Sequence, residues 1–348
     1  MNKEYKELNK YLNDICNYLY KTGDILINNI SNICKMNDGY YEILYDYKFK
    51  KKSKENHLTY NDVYILAREI IEKINPKYLE EYDKLISTGL LDFSYEHGYD
   101  DSEFVHIEKD NKSYNIININ REFNYNDVIS LIHEFFHYTN GCAKTTRIRH
   151  LLTEFISIYF ETYAIDYLIN KGIDKDEIDY EIRLEWTFNM VSEFYYIETP
   201  LICFIDFGSI DDDAYEFFKK KYFPVEKSAF DKECTILLKW LQKIDKNYRD
   251  NHFKDNYDYD NVIKKSANLL IKHFKYLFGT ILAIYAFKNC KIDDILYLNE
   301  HINDDDNVGL VEILKNAGID LNDDKFLNDA LVCIEEYIND NKKVKGDV

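Results

Sequence analysis

SYNIININREFNYNDVISLIHEFFHYTNG, residues 113–141, changes its hydrophobic period once along its length. Its first part, with the preceding EFVHIEKD, alternates at a period of two, and Asn111-Lys112 supplies a turn between them. That pattern predicts a short β-hairpin over residues 103–120. From Asn126 onward the apolar positions Val128, Ile129, Leu131, Ile132, Phe135 and Phe136 recur every three or four residues. This is the spacing of an amphipathic helix, with Asn126 or Asp127 as its expected cap.

Inside that helix lies His133-Glu134-Phe135-Phe136-His137, an H-E-x-x-H motif. Histidines four residues apart lie on one helical face, so both imidazoles can reach one cation, and the glutamate between them projects beside it as a base. A chance coincidence is the alternative among nine histidines, but the flanking strand and the helical context weigh against it. The next apolar-periodic stretch, LLTEFISIYFETYAIDYLIN (151–170), predicts a second helix bearing Glu154 and Glu161. Zinc peptidases with two histidines and one glutamate take their third ligand from such a following helix, which assigns Zn2+ to His133, His137 and Glu154. Glu161, seven residues on, shares the face of Glu154 and reads either as a partner for the free N–H of a ligand histidine or as a solvated helix charge.

Outward from this segment the chain reads as mainly helical. Only 3 prolines and 11 glycines interrupt its 348 residues. Asn61-Asp62 is expected to cap a helix running to about Ile74 before Pro76, a further helix begins in 78–88, and ANLLIKHFKYLFGTILAIYAF (267–287) is a long apolar one. The tail NDNKKVKGDV is expected to fray. The expected organisation is a single catalytic unit over 1–348, with an N-terminal helical part (1–100), the hairpin and zinc-binding helices (101–170) and a C-terminal helical part (171–348).

Cys16, Cys34, Cys142, Cys203, Cys234, Cys290 and Cys333 are scattered, odd in number and never spaced C-x-x-C. This speaks against a disulfide framework or a thiolate metal site and for a cytoplasmic location. The N-terminus has no apolar core of a signal sequence, and no run reaches the roughly 18 uninterrupted apolar residues of a membrane span. A formal charge of −19 repels phosphate backbones, which excludes nucleic acid from the expected partners. The 32 tyrosines fit a compositional bias better than a base-stacking platform.

The stretch 113–141 also resembles the active-site strand and helix of the thimet oligopeptidase and oligoendopeptidase F family of zinc metallopeptidases. Upstream, LYDYKF and LTYNDVYILAREIIEKINPKYLEEYDKLISTGLLDF are similar to the family's run into its catalytic strand. Downstream, Glu154, Ser157 and Glu161 match the glutamate, serine and second glutamate of its third-ligand helix, and KYLFGTILAIYAF resembles the segment carrying a family tyrosine, which lands on Tyr276 ahead of Gly279. With VEILKNAGIDLNDDKFLNDALVCIEEYI resembling the closing helices, the likeness covers most of residues 43–338. It implies a zincin-like helical metallopeptidase domain with a small β-sheet next to the HExxH helix, short peptides as substrates, and Tyr276 as a donor to the oxyanion.

The departures fall near the site. Phe136 stands where the family has glycine, the segment between His137 and Glu154 is shorter than usual, and distance along the chain alone would select Glu161 as the third ligand. The family's oxyanion histidine falls near Ser266, and neither His252 nor His273 stands at its offset. The chain also starts close to where the family's catalytic half starts, without its long N-terminal lobe. Two readings follow: an endopeptidase working through Glu134-assisted attack of water, or a relative that binds zinc or peptide with little or no turnover. The remaining histidines, His57, His97, His106, His150 and His301, have no partner at ligand spacing and read as surface or core-edge residues.

Overall fold

The structure is a computed structural model that describes residues 3–21, 39–45, 47–48, 57–93, 102–110, 112–141, 147–175, 177–178, 182–221, 226–251, 257–302, 310–321, 323 and 325–342. Its elements in chain order are α1 (Lys3–Lys21), α2 (Tyr60–Ile74), a 3₁₀ turn (Pro76–Tyr78), α3 (Leu79–Ser87), β1 (Leu91–Phe93), β2 (Glu103–Lys109), β3 (Lys112–Ile119), α4 (Asn126–Thr139), α5 (Arg147–Asn170), α6 (Ile182–Phe207), α7 (Asp212–Lys221), α8 (Lys227–Asn251), α9 (Tyr259–Asn289), α10 (Ile292–His301), α11 (Leu310–Asn316) and α12 (Phe326–Lys342). The fold is mainly α with one small sheet, as the periodicity predicts.

Contacts divide the chain into two compact units, Met1–Tyr45 with Phe188–Leu277, and Asp46–Thr187 with Phe278–Val348. In the first, α1 packs on α8. Leu8, Leu12 and Ile15 of α1 are buried, as are Leu237 and Leu241 of α8. Asp245 ties the same pair together, accepting hydrogen bonds from Tyr11 (3.1 Å) and Tyr257 (2.8 Å) and a two-point contact from Arg249.

The second unit holds the sheet, ordered β1-β3-β2. β2 and β3 form the expected antiparallel hairpin, from Glu103 opposite Asn118 to Lys109 opposite Lys112. Of the expected turn pair, Asn111 lies outside the described residues and Lys112 already pairs in β3. β1 runs parallel to β3, with Leu91 opposite Ile117. Nothing in the sequence pattern announced it, because three residues are too few to show a period. The inner end of β3 is buried at Ile117, Asn118 and Ile119, and its outer end is open to solvent.

Several helix boundaries differ from expectation for local reasons. α2 is capped by Thr59 rather than Asn61-Asp62: the Thr59 hydroxyl accepts from the Asp62 N–H (3.2 Å) and the Asp62 carboxylate accepts from the Thr59 N–H (2.8 Å). Asp62 is thus the third helical residue of a capping box. Asn75 ends this helix and caps the following turn through its side chain, which accepts from the Lys77 N–H (3.1 Å). α12 continues into the expected frayed tail as far as Lys342, and residues 343–348 lie outside the described ones. Among the described residues, α9 is the helix long and apolar enough to cross a membrane by length and composition, and 73% of its most apolar stretch is buried within the protein. Cys16, Cys203, Cys234, Cys290 and Cys333 are unpaired, while Cys34 and Cys142 lie outside the described residues. Burial pushes the Cys16 and Cys203 thiols up to about 12 and Cys290 to about 11.

Candidate metal centre

The turn from β3 into α4 is held by a buried ion pair. Arg121 donates to the Asp127 carboxylate and to the Leu58 carbonyl, and Asp127 also accepts from the Glu122 N–H (2.8 Å). The guanidinium lies over the rings of Tyr60, Phe93 and Phe123 at 4.9, 5.5 and 4.7 Å. The expected role of Asp127 as helix cap is therefore replaced by an anchoring one. Asn126 does not cap either; its own N–H is taken by the Asn124 side chain (2.8 Å), and the residue at the N-cap, Tyr125, makes no side-chain cap bond.

From this anchor α4 runs between the sheet, α2 and α5. Its residues from Asn126 to His137 are buried all round apart from Ser130, so polar side chains in it must find partners inside the protein. The Nε2 atoms of His133 and His137 lie 2.9 Å apart. Glu154 of α5 completes a triangle, with carboxylate oxygens 3.8 Å from His133 Nε2 and 3.7 Å from His137 Nε2. All three residues are buried. Glu134 reaches the same place, its Oε1 3.9 Å from His133 Nε2. Glu161, one helical repeat beyond Glu154, puts Oε1 3.0 Å from His133 Nδ1. This carboxylate stands behind the His133 ring, on the side away from Nε2, which faces His137 and Glu154.

The donor set tests well against a metal. Zinc held at about 2.0–2.2 Å by two imidazole nitrogens and a carboxylate oxygen in tetrahedral geometry separates its ligand atoms by roughly 3.3 Å. The observed 2.9 Å between the two imidazole nitrogens, and the 3.7 and 3.8 Å from His137 and His133 to Oε1 and Oε2 of Glu154 respectively, straddle that value. Two histidines with a glutamate suit zinc among the common divalent ions. The same arrangement without a cation would leave a buried carboxylate facing two imidazoles, a placement that costs free energy unless charge is compensated.

Phe136, between the two histidines in sequence, is wholly buried among aromatic rings. It stacks face to face on Phe160 of α5 at 3.7 Å between centroids and 15° between planes, and meets Tyr78 edge-on at 5.8 Å. At the C-terminal end of α4, Asn299 of α10 donates to Tyr78 Oη (3.0 Å) and Thr139 Oγ1 (3.1 Å). Burial pushes the Tyr78 hydroxyl up to about 12, against the opposing effect of the Asn299 hydrogen bond.

Of the residues singled out in the sequence, His133, Glu134, His137, Glu154 and Glu161 are thus brought together. Ser157, between the two glutamates on α5, is wholly buried. Tyr276 lies on α9 within the first unit, half-buried, with the Lys275 ammonium 4.4 Å from its ring centre. Ser266 is wholly buried in that unit, and its hydroxyl has no hydrogen-bond partner among the described residues. His106 is engaged by Asn115 (2.7 Å) and His301 by the Tyr297 carbonyl (2.9 Å). His97 and His252 lie outside the described residues, as do the side chains of His150 and His273. Arg121, Asn299 and Phe160 were not foreseen as supports of the site, since nothing along the chain announces partners that meet only in space.

Fold and site together define a mainly α-helical protein with a buried His-His-Glu group able to hold a metal ion. No known family's sequence model matches the chain, and no curated protein does. Among solved structures it is similar to a protein named "putative peptidase from Chlamydophila abortus", with a TM-score of 0.47 and 16% identity over 96% of this chain and 55% of that one. The chain therefore spans about half the length of that protein.

Proposed function

We propose that the protein is a zinc-dependent endopeptidase acting on short peptides. The observation that carries this reading is the convergence of His133 Nε2, His137 Nε2 and a Glu154 carboxylate oxygen, with Glu134 beside them. A zinc ion held there would polarise the scissile carbonyl and acidify a water. Glu134, buried and next to the ligands but not needed to complete their triangle, accepts the proton of the attacking water and returns it to the leaving nitrogen. His133, backed by the Glu161 carboxylate, and His137 hold the position of the centre through the reaction. Tyr276 as a donor to the developing oxyanion belongs to this proposal on the family resemblance alone; the cytoplasmic location and the absence of nucleic-acid and membrane partners belong to it on cysteine pattern, charge and hydropathy.

Cleavage of a mixed library of short peptides by the zinc-loaded protein, read by mass spectrometry, tests it alongside Glu134→Gln. The parent is expected to cleave, and the variant to bind one zinc while losing at least about a hundredfold in rate, the scale of a general base. Stoichiometric zinc without cleavage by the parent would favour the relative that binds without turnover. A folded parent that takes up no zinc would end the peptidase reading.

A further inference from the structure

Gly279 sits in the interior of α9, where glycine is a poor helix former and its presence asks for a reason. The reason is on α5. A Cβ at position 279 would lie 3.2 Å from the backbone nitrogen of Phe155, 3.3 Å from the carbonyl carbon of Glu154 and 3.2 Å from Ile158 Cδ1. Two of these three atoms are helix backbone, which cannot step aside by changing rotamer. They are the two atoms of the peptide bond that leaves Glu154, whose side chain supplies the carboxylate corner of the triangle.

We infer that Gly279 is a positioning residue for Glu154: by lacking a side chain it lets α5 seat at the depth that brings this carboxylate to the two histidines. The inference rests on the reading of the cluster as a metal centre. Any side chain at 279 must push the Glu154 turn away by a few tenths of an ångström to reach ordinary van der Waals contact. The tolerance of metal–ligand distances is about ±0.2 Å. A displacement too small to disturb a helix is thus large enough to disturb a ligand. α9 has little freedom to absorb it instead, because Phe278, Thr280, Ile281 and Leu282 are all buried and the Thr280 hydroxyl is hydrogen-bonded to Thr187 at 3.1 Å.

The test compares the full chain with Gly279→Ala. Zinc affinity is measured by competition with a chromogenic chelator, the ligand field by the visible spectrum of the cobalt-substituted protein, and folding by the melting temperature of the metal-free form. A role confined to helix packing would move only the last of these. The expected result is zinc binding weakened about 10- to 100-fold, the scale of losing a ligand's support, with altered cobalt bands and a metal-free melting temperature within a few degrees of the parent. Gly279→Ala with Ile158→Val removes the side-chain contact and keeps both backbone contacts, so it is expected to stay weak in zinc. Parental zinc affinity and cobalt spectrum in Gly279→Ala would overturn the inference while leaving the metal centre intact. Recovery in the double variant would shift the cause to Ile158 and overturn it also. If neither variant folds, Gly279 serves packing alone and the positioning role is wrong. A parent that binds no zinc fails at the earlier step and takes this inference with it.

Discussion

Glu161 places a carboxylate behind the ring of His133. At 3.0 Å from Nδ1, its carboxylate is a source of negative charge behind the ring. That charge favours a cation held at Nε2, the atom aimed at Glu154 and His137. Removing the carboxylate in Glu161→Ala should weaken zinc binding by about 10- to 100-fold, with Glu161→Gln intermediate, since an amide oxygen still accepts but carries no charge. Chelator competition on the folded variants measures this. Equal affinity in all three proteins would return Glu161 to the bland reading of a helix charge that merely became buried. The sequence made the question visible, because Glu154 and Glu161 share a helical face. It left the answer open, because whether a glutamate meets a histidine ring depends on how far α5 is rotated about its axis.

At the scale of the elements, the site is the product of α4 packing on α5. The ring stack of Phe136 on Phe160 lies beside His137 in one helix and beside Glu161 in the other, so it fixes both helices where the ligands are. Glycine at position 136 should be destabilising in this chain. Phe136→Gly leaves a cavity costing roughly 3–5 kcal/mol and adds about 1 kcal/mol of helix propensity. Phe136→Leu, which refills part of the space, should cost less. In a double-mutant cycle of Phe136→Leu and Phe160→Leu, followed by urea unfolding, the coupling should be about 0.5–1.5 kcal/mol. Additivity would mean the rings fill space without favouring one another. Half of this was legible along the chain: a ring in place of glycine demands repacking against a neighbour. Phe160 was not, because the partner is set by the register between two helices. Long periodic segments such as α4 and the β2–β3 hairpin were legible for the opposite reason, since their pattern is local. β1 was not, and neither was the Thr59 cap, where the helix begins two residues earlier than its first apolar position suggests.

At the scale of the whole molecule, the two units should respond to different chemical challenges. The candidate ligands all lie in the second unit, so zinc adds stability to the elements that carry them by mass action. The gain is about 2.7 kcal/mol at a hundredfold excess over the dissociation constant. The first unit depends instead on buried and half-buried carboxylates. Burial disfavours the charged form of Asp245, but hydrogen bonds from Arg249, Tyr257 and Tyr11 outweigh it and hold this carboxyl below the usual range. For Asp231 burial is likewise outweighed, by Lys227 and Tyr5. A carboxylate whose pKa is lower folded than unfolded stabilises fully above its unfolded value of about 3.9, and that contribution is lost as pH falls through the folded value. A net charge of −19 acts in the other direction, since protonation towards the isoelectric region near 4.9 relieves self-repulsion. Stability should therefore hold or rise from neutrality to about pH 5 and fall once the paired carboxylates protonate below about 4. Hydrogen exchange read peptide by peptide separates the two dependences. Chelating the metal at neutral pH should deprotect α4 and α5 and leave α1 and α8 unchanged, whereas acidifying the metal-free protein from pH 5 to 3 should deprotect α1 and α8. Loss of protection spread evenly over both sets on chelation would mean that the chain opens as one cooperative body, and that the metal stabilises all of it rather than the unit that binds it.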